Sequence, residues 1–239
     1  MTAATPMRLL VSVRTVDEAL LAAAGGADFI DLKEPRDGAL GGLPLATVRA
    51  IVKALRAQGC SLPLSATIGD LPMHALSAIL QRSHDLHACG VDYVKVGIEP
   101  GPAGATVLKA LAATTLPVVP VFIADRGLDF TLIGIAQGFS ALMLDTADKH
   151  SGSLFDVAAL DDLQRFVAGA RHSGAMAGLA GALRLQHLDG LSRLAPDFAG
   201  FRSALCMQGR ASALDAGLLH DLARRVHGQA APVGITSPA

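Results

Sequence analysis

The feature that most constrains this chain is a rhythm. Short β-branched or apolar runs alternate with longer stretches of helical character, and the pair occurs eight times between the two ends. Parallel strands need a crossover of a dozen or more residues, usually a helix, so this alternation spells βα units. The strands read at residues 9–13, 29–33, 64–68, 93–98, 118–124, 141–145, 176–180 and 198–202. Helices are expected after each, at 45–58, 75–89, 105–114, 128–137, 157–173, 185–194 and 213–227, with the first opening at Thr15. Thr15 and Glu18 have the spacing of a capping box, and Gly25-Gly26 stops that first helix. A length of 239 residues matches one barrel of about 250 residues and leaves no room for a second domain. The expected architecture is therefore a single (β/α)8 TIM-type barrel over residues 7–228, with tails at 1–6 and 229–239 rich in small residues and Pro.

Side chains alternate faces along a strand, and this divides the second strand into Ile30 and Leu32 against Phe29, Asp31 and Lys33. The fourth divides Val94 and Val96 from Tyr93, Lys95 and Gly97, and the sixth divides Leu142 and Leu144 from Ala141, Met143 and Asp145. With the apolar sets against the helices, three strands point charged side chains into the barrel near its C-terminal end. Active sites of this fold lie at that end.

Five of the twenty basic residues are lysines. Lys53 and Lys109 fall in expected helices and read as solvated charges, whereas Lys33, Lys95 and Lys149 fall at or just past strand ends. Taking an ammonium out of water costs several kcal/mol unless it is paired or deprotonated. Catalysis is one reason to do so: a neutral amine can attack a carbonyl to form an imine, which arginine cannot do. The other reason is a structural ion pair, with Asp31 and Asp145 as the partners.

Other classes are disfavoured. Twenty basic against twenty-one acidic residues give a formal charge of −1 without long blocks of either sign, so nucleic acid is not an expected partner. No apolar run approaches the roughly 20 residues of a membrane span, and the N-terminus lacks the pattern of a secretory signal, so a cytoplasmic protein is expected. Three widely spaced cysteines without a CxxC pair suggest buried thiols. His84 and His87 share a helix face and read as surface, and no metal or cofactor is expected. The Gly-rich segment 34–42 has neither phosphate-loop nor dinucleotide spacing, and reads as a loop over the site or a flexible connection. Phosphate contacts are expected after strands seven and eight, where Gly181, Arg202 and Gly209 stand, although a tight turn and surface charges are equally compatible with these residues.

Four segments together resemble a known family: Ile30-Asp31-Leu32-Lys33-Glu34-Pro35, Ser65-Ala66-Thr67-Ile68-Gly69-Asp70, Tyr93-Val94-Lys95-Val96-Gly97 and Met143-Leu144-Asp145-Thr146-Ala147-Asp148-Lys149. They are similar, in order and spacing, to the (5-formylfuran-3-yl)methyl phosphate synthases of methanofuran biosynthesis, over residues 9–225. The resemblance implies a lyase that condenses two glyceraldehyde 3-phosphate molecules into 4-(hydroxymethyl)-2-furancarboxaldehyde phosphate, losing one phosphate and two waters. It implies Lys33 as the Schiff-base nucleophile, Lys95 as proton acceptor, and Asp31, Asp145 and Lys149 as further catalytic groups. Ser65 and Thr67 of the second segment join Gly181, Arg202 and Gly209 as expected substrate or phosphate contacts. The partner is then a small triose phosphate, and a homo-oligomer is expected. The chain departs from the family after the eighth strand, where Ser203 follows Arg202 and the loop reads Cys206-Met207-Gln208-Gly209-Arg210. A class I aldolase or sugar-phosphate isomerase, and a non-catalytic barrel that binds a phosphometabolite, are the alternatives on the same fold.

Overall fold

The computed structural model describes residues 6–38, 40–147 and 152–228. Eight parallel strands, each hydrogen-bonded to its neighbours in chain order, close into a barrel: β1 (Arg8–Val13), β2 (Phe29–Leu32), β3 (Leu64–Thr67), β4 (Tyr93–Ile98), β5 (Val118–Ile123), β6 (Ala141–Asp145), β7 (Met176–Leu179) and β8 (Phe198–Phe201). Around them run α1 (Val16–Ala24), α2 (Leu45–Ala57), α3 (Leu76–His87), α4 (Pro102–Ala112), α5 (Phe130–Ile135), α6 (Leu154–Val157), α7 (Leu160–His172), α8 (Leu188–Leu194) and α9 (Ala216–Gly228). Among the described residues no helix is long and apolar enough to cross a membrane.

The expected strands match to within one residue at each end, and their faces divide as alternation requires. Leu9, Val11, Ile30, Leu32, Val94, Val96, Leu142 and Leu144 belong to the core between strands and helices. Leu10, Phe29, Val119, Val121, Ala141, Met143 and Phe198 form a smaller core inside the barrel. Register then sets the height of the polar inward residues: Ser12 pairs with Asp31, Asp31 with Ser65, and Thr67 with Lys95.

Helix boundaries depart more. The helix expected at 157–173 is α7, which starts three residues later, after extended backbone at Ala158 and Ala159; ahead of it stands the unexpected short α6, which opens on Ser153, whose backbone N–H and hydroxyl both donate to the Asp156 carboxylate at 2.7 Å. Helix α4 starts three residues earlier than expected because Pro102, with its fixed φ and missing N–H, suits the first helical position. The Thr15–Glu18 box is half formed. Thr15 Oγ1 accepts from Glu18 N at 3.2 Å, but the Glu18 carboxylate accepts from Arg14 N at 2.8 Å and turns inward to Arg202.

Residues 34–38 and 40–42 pack over the C-terminal mouth. Glu34 N donates to Gly41 O at 2.8 Å, and Leu40 N to Asp70 Oδ1 at 3.3 Å. Leu40 is 2% exposed and inserts into the inner core. It can do so because β4 offers Gly97 opposite it, where a Cβ would meet Leu40 Cδ1 at 2.5 Å. The loop is therefore a fitted cover rather than a loose connection.

Candidate active site

Two lysines and two aspartates meet at the mouth. Lys33, just past β2, donates to Asp145 Oδ2 at the end of β6, with Nζ···O 2.9 Å. Lys95, in the middle of β4, lies 2.9 Å from Asp31 Oδ1 on β2. The pairs cross between strands, so the two aspartates are held in turn. Asp31 accepts from Ser65 Oγ at 2.6 Å and Ser12 Oγ at 3.2 Å, and Asp145 accepts from Thr146 N at 2.7 Å. All four charged side chains are buried.

Lys95 is the more strained electrostatically. It is 2% exposed, and its Nζ approaches Asp31 off the line of a good hydrogen bond, leaving the ammonium without an aligned acceptor. Burial pushes its pKa below the ordinary lysine value; the Asp31 carboxylate opposes that shift and the charge of Lys33 adds to it. Beneath it lies an apolar cavity of about 350 Å³, walled by Leu10, Phe29, Tyr93, Val119, Met176 and Phe198. Besides Lys95 itself, Ser65 and the phenol of Tyr93 are the only polar side chains among the described residues that line it.

The cleft above the lysines holds about 560 Å³ and is lined by Ser12, Asp31, Lys33, Thr67, Lys95 and Asp145, with Gly181, Arg202 and Arg210 at its edge. Four of the five residues expected to be catalytic thus come together, and the fifth, Lys149, lies outside the described residues. The expected contacts divide. Gly181 lines the cleft at φ +115°, followed by Ala182 at φ +47°, and a Cβ on Gly181 would sit 2.7 Å from Thr146 Cγ2. Thr67 also lines it, but its hydroxyl donates to Gly41 O at 2.7 Å and ties down the covering loop. Ser65 stands one level lower, against the apolar cavity. Gly209 is outside the cleft, in a turn closed by Ser212 N at 2.9 Å.

Arg202 requires correction. Its Nε donates to Arg210 O, Nη1 to Ser12 O and Glu18 Oε2, and Nη2 to Glu18 Oε1 and Ser212 O, at 2.7–3.0 Å. A guanidinium has five N–H donors and all five are committed, so none is left for a phosphate. Arg202 is a brace joining α1, β1 and the loop after β8. Arg210 is the arginine that faces the cleft. Its side chain meets one carbonyl, Gly38 O at 3.4 Å, and burial lowers its pKa from the ordinary value. Sequence reading also missed Ser12, although the alternation of Leu9, Val11 and Val13 against the helices places it inward by the rule that placed Asp31.

The cluster can hold a carbonyl compound against two amines and two carboxylates, away from bulk water. Among the described residues, no group of three His, Cys, Asp or Glu side chains stands ready for a metal ion.

Known proteins agree with this architecture. The chain is 41% identical over 211 residues to a Methylorubrum extorquens protein named as a candidate (5-formylfuran-3-yl)methyl phosphate synthase, covering 87% of this chain and 86% of that one. It is 33% identical over 239 residues to the (5-formylfuran-3-yl)methyl phosphate synthase of Archaeoglobus fulgidus, covering 93% of this chain and all of the relative. Among solved structures it resembles phosphoribosyl anthranilate isomerase from Thermus thermophilus, with TM-score 0.64, 19% identity, 93% of this chain and 100% of the other; that likeness shows the fold. The model of the 4-HFC-P synthase family matches residues 9–223, and the chain belongs to that family of furan phosphate synthases.

Proposed function

We propose that the chain condenses two glyceraldehyde 3-phosphate molecules into 4-(hydroxymethyl)-2-furancarboxaldehyde phosphate, as a lyase supplying a methanofuran-type cofactor. The observation that carries this reading is the crossed pair of buried lysine–aspartate contacts in one cleft. Structural ion pairs alone would not require two ammonium groups side by side in a cleft open to small molecules.

In this reading Lys33 is the nucleophile. Its ammonium passes a proton to Asp145, 2.9 Å away, and the free amine attacks the aldehyde carbon of the first triose phosphate. Loss of water gives an imine, and reprotonation makes it an electron sink. Lys95, whose burial favours its neutral form, takes the proton from the carbon next to the imine. The electron pair released forms an enamine, which attacks the aldehyde of the second molecule and makes the C–C bond. Asp31, held by Ser12 and Ser65, stays beside Lys95 as a fixed anion that stabilises the ammonium so formed, until Lys95 passes that proton to a departing hydroxyl and is neutral again. Ring closure, elimination and hydrolysis of the imine, which frees Lys33 and the product aldehyde, then leave a net loss of two waters and one phosphate, which balances two three-carbon phosphates against one six-carbon furan phosphate. The backbone around Gly181 and the Arg210 guanidinium are the proposed phosphate contacts in the cleft, in place of Arg202.

Purified protein given glyceraldehyde 3-phosphate alone tests the proposal. The expected result is an ultraviolet-absorbing furan aldehyde with one phosphate released per two triose phosphates consumed. A simple aldol or an isomerised sugar, with no phosphate released, would overturn it.

A further inference from the structure

The cleft opens outward into a wider basin enclosing about 1360 Å³ of open space, sharing Pro35, Ala182, Ser203 and Arg210 with the cleft. Three guanidinium groups line this basin: Arg36 from the loop after β2, Arg184 after β7 and Arg210 after β8. No carboxylate is found among the described residues that line it. None of the three arginines forms an ion pair among the described residues, whereas Arg14, Arg56, Arg126, Arg171, Arg202, Arg224 and Arg225 each face an acid. Three cations from three separate loops thus line one basin beside the cleft, and the described acids whose charge reaches Arg210, Asp145 and Glu34, lie outside that lining.

The charge inside the cleft makes this placement informative. Lys33 and Lys95 are matched by Asp145 and Asp31, and Arg202 by Glu18. Arg210 is thus the one surplus cation in the cleft lining, and a single guanidinium does not offset two phosphate dianions. The basin adds to that surplus, within one opening of the lysines. Guanidinium forks match phosphate oxygens in charge and in geometry.

We propose that this basin is a second anion subsite, which holds the phosphate monoester of the second triose phosphate while its aldehyde reaches into the cleft. The inference rests on the two-molecule condensation proposed above. Arg36 and Arg184 line the basin and not the cleft, and Arg210 stands at the boundary. Because the basin is open to solvent, it is also the side from which eliminated phosphate departs.

The test is calorimetric titration with glycerol 3-phosphate, which has the phosphate monoester but no carbonyl and so forms no imine. The wild-type chain is expected to bind two molecules. Arg36→Gln/Arg184→Gln is expected to retain one at unchanged affinity, while the dissociation constant of the other rises by about tenfold or more, as loss of charge-assisted hydrogen bonds implies. Both side chains are exposed and lack a carboxylate partner among the described residues, so the fold does not depend on them; an unchanged circular dichroism spectrum checks this, and Arg184→Gln alone gives a smaller shift in the same direction. A double variant that binds two molecules as tightly as wild type, or a wild-type chain that binds one, overturns the subsite. A chain that makes the furan yet binds a single glycerol 3-phosphate would remove the subsite and leave the condensation standing. One that binds two and makes no furan would do the reverse.

Discussion

Replacing Glu18 by glutamine removes the only carboxylate that faces the buried Arg202 guanidinium among the described residues. The two side chains are joined by two hydrogen bonds of 2.7 and 3.0 Å, and both residues are buried. The substituted amide would offer one carbonyl oxygen and turn an N–H₂ group toward a guanidinium that has no acceptor capacity. The guanidinium would remain buried, still held by the carbonyls of Ser12, Arg210 and Ser212, without a counter-charge. Breaking one half of a buried pair costs about 3–5 kcal/mol, a large part of the roughly 5–15 kcal/mol that stabilises a domain. For a chain of this size each kcal/mol moves the melting midpoint by about 2–4 °C, so the expected fall is about 6–20 °C. Urea unfolding of Glu18→Gln followed by far-ultraviolet circular dichroism measures the free energy directly. A loss below about 1 kcal/mol, the range of an exposed pair, would refute the brace assigned to Arg202.

Asp31→Asn removes the anion that opposes the lowering of the Lys95 pKa, so the acidic limb of the kcat/KM profile should move to lower pH; a limb that stays or moves up contradicts Lys95 as the base. Gly181→Ala places a methyl group 2.7 Å from Thr146 Cγ2 at a φ that L side chains rarely adopt, and should lower stability by about the 1–3 kcal/mol of such strain, with a higher KM for the triose phosphate as the backbone shifts away from its contact. His187, whose Nδ1 accepts from Arg184 N at 3.0 Å, has its pKa lowered chiefly by burial. The unfolded chain therefore binds that proton more readily, so this contribution to stability is complete above the ordinary value of 6.5 and fades as pH falls below it. His187→Asn should flatten the loss of melting temperature as the solution is acidified through that value, and an unchanged slope would count against it.

How far these features were legible in the sequence depended on whether the signal was local. Strand faces follow from period-two alternation, which is why Lys33, Lys95, Asp31 and Asp145 could be placed at one mouth from the sequence alone. The short α6 was overlooked although Ser153 and Asp156 carry its N-terminal signal, and the later start of α7 was hidden because the alanines at 158 and 159 carry no boundary signal. The role of Arg202 was illegible for a different reason. Its partner Glu18 lies 184 positions away and already fitted a local capping pattern. Leu40 misled in the same way: glycines around it suggested looseness, whereas the space it fills is provided by Gly97 on another strand. Charge balance was the least accessible, since the surplus carried by Arg36, Arg184 and Arg210 is a property of three loops brought together.

In the proposed mechanism Lys33 forms an imine with the triose phosphate while Lys95 moves protons. Borohydride added during a single turnover with glyceraldehyde 3-phosphate should reduce that imine to a stable secondary amine, and peptide mass spectrometry should place the adduct on Lys33. Lys33→Arg, which keeps the charge but not the nucleophilic amine, should give no adduct at all. An adduct on Lys95 in wild type, or no labelled lysine in folded protein saturated with substrate, would rule out Lys33 as the nucleophile.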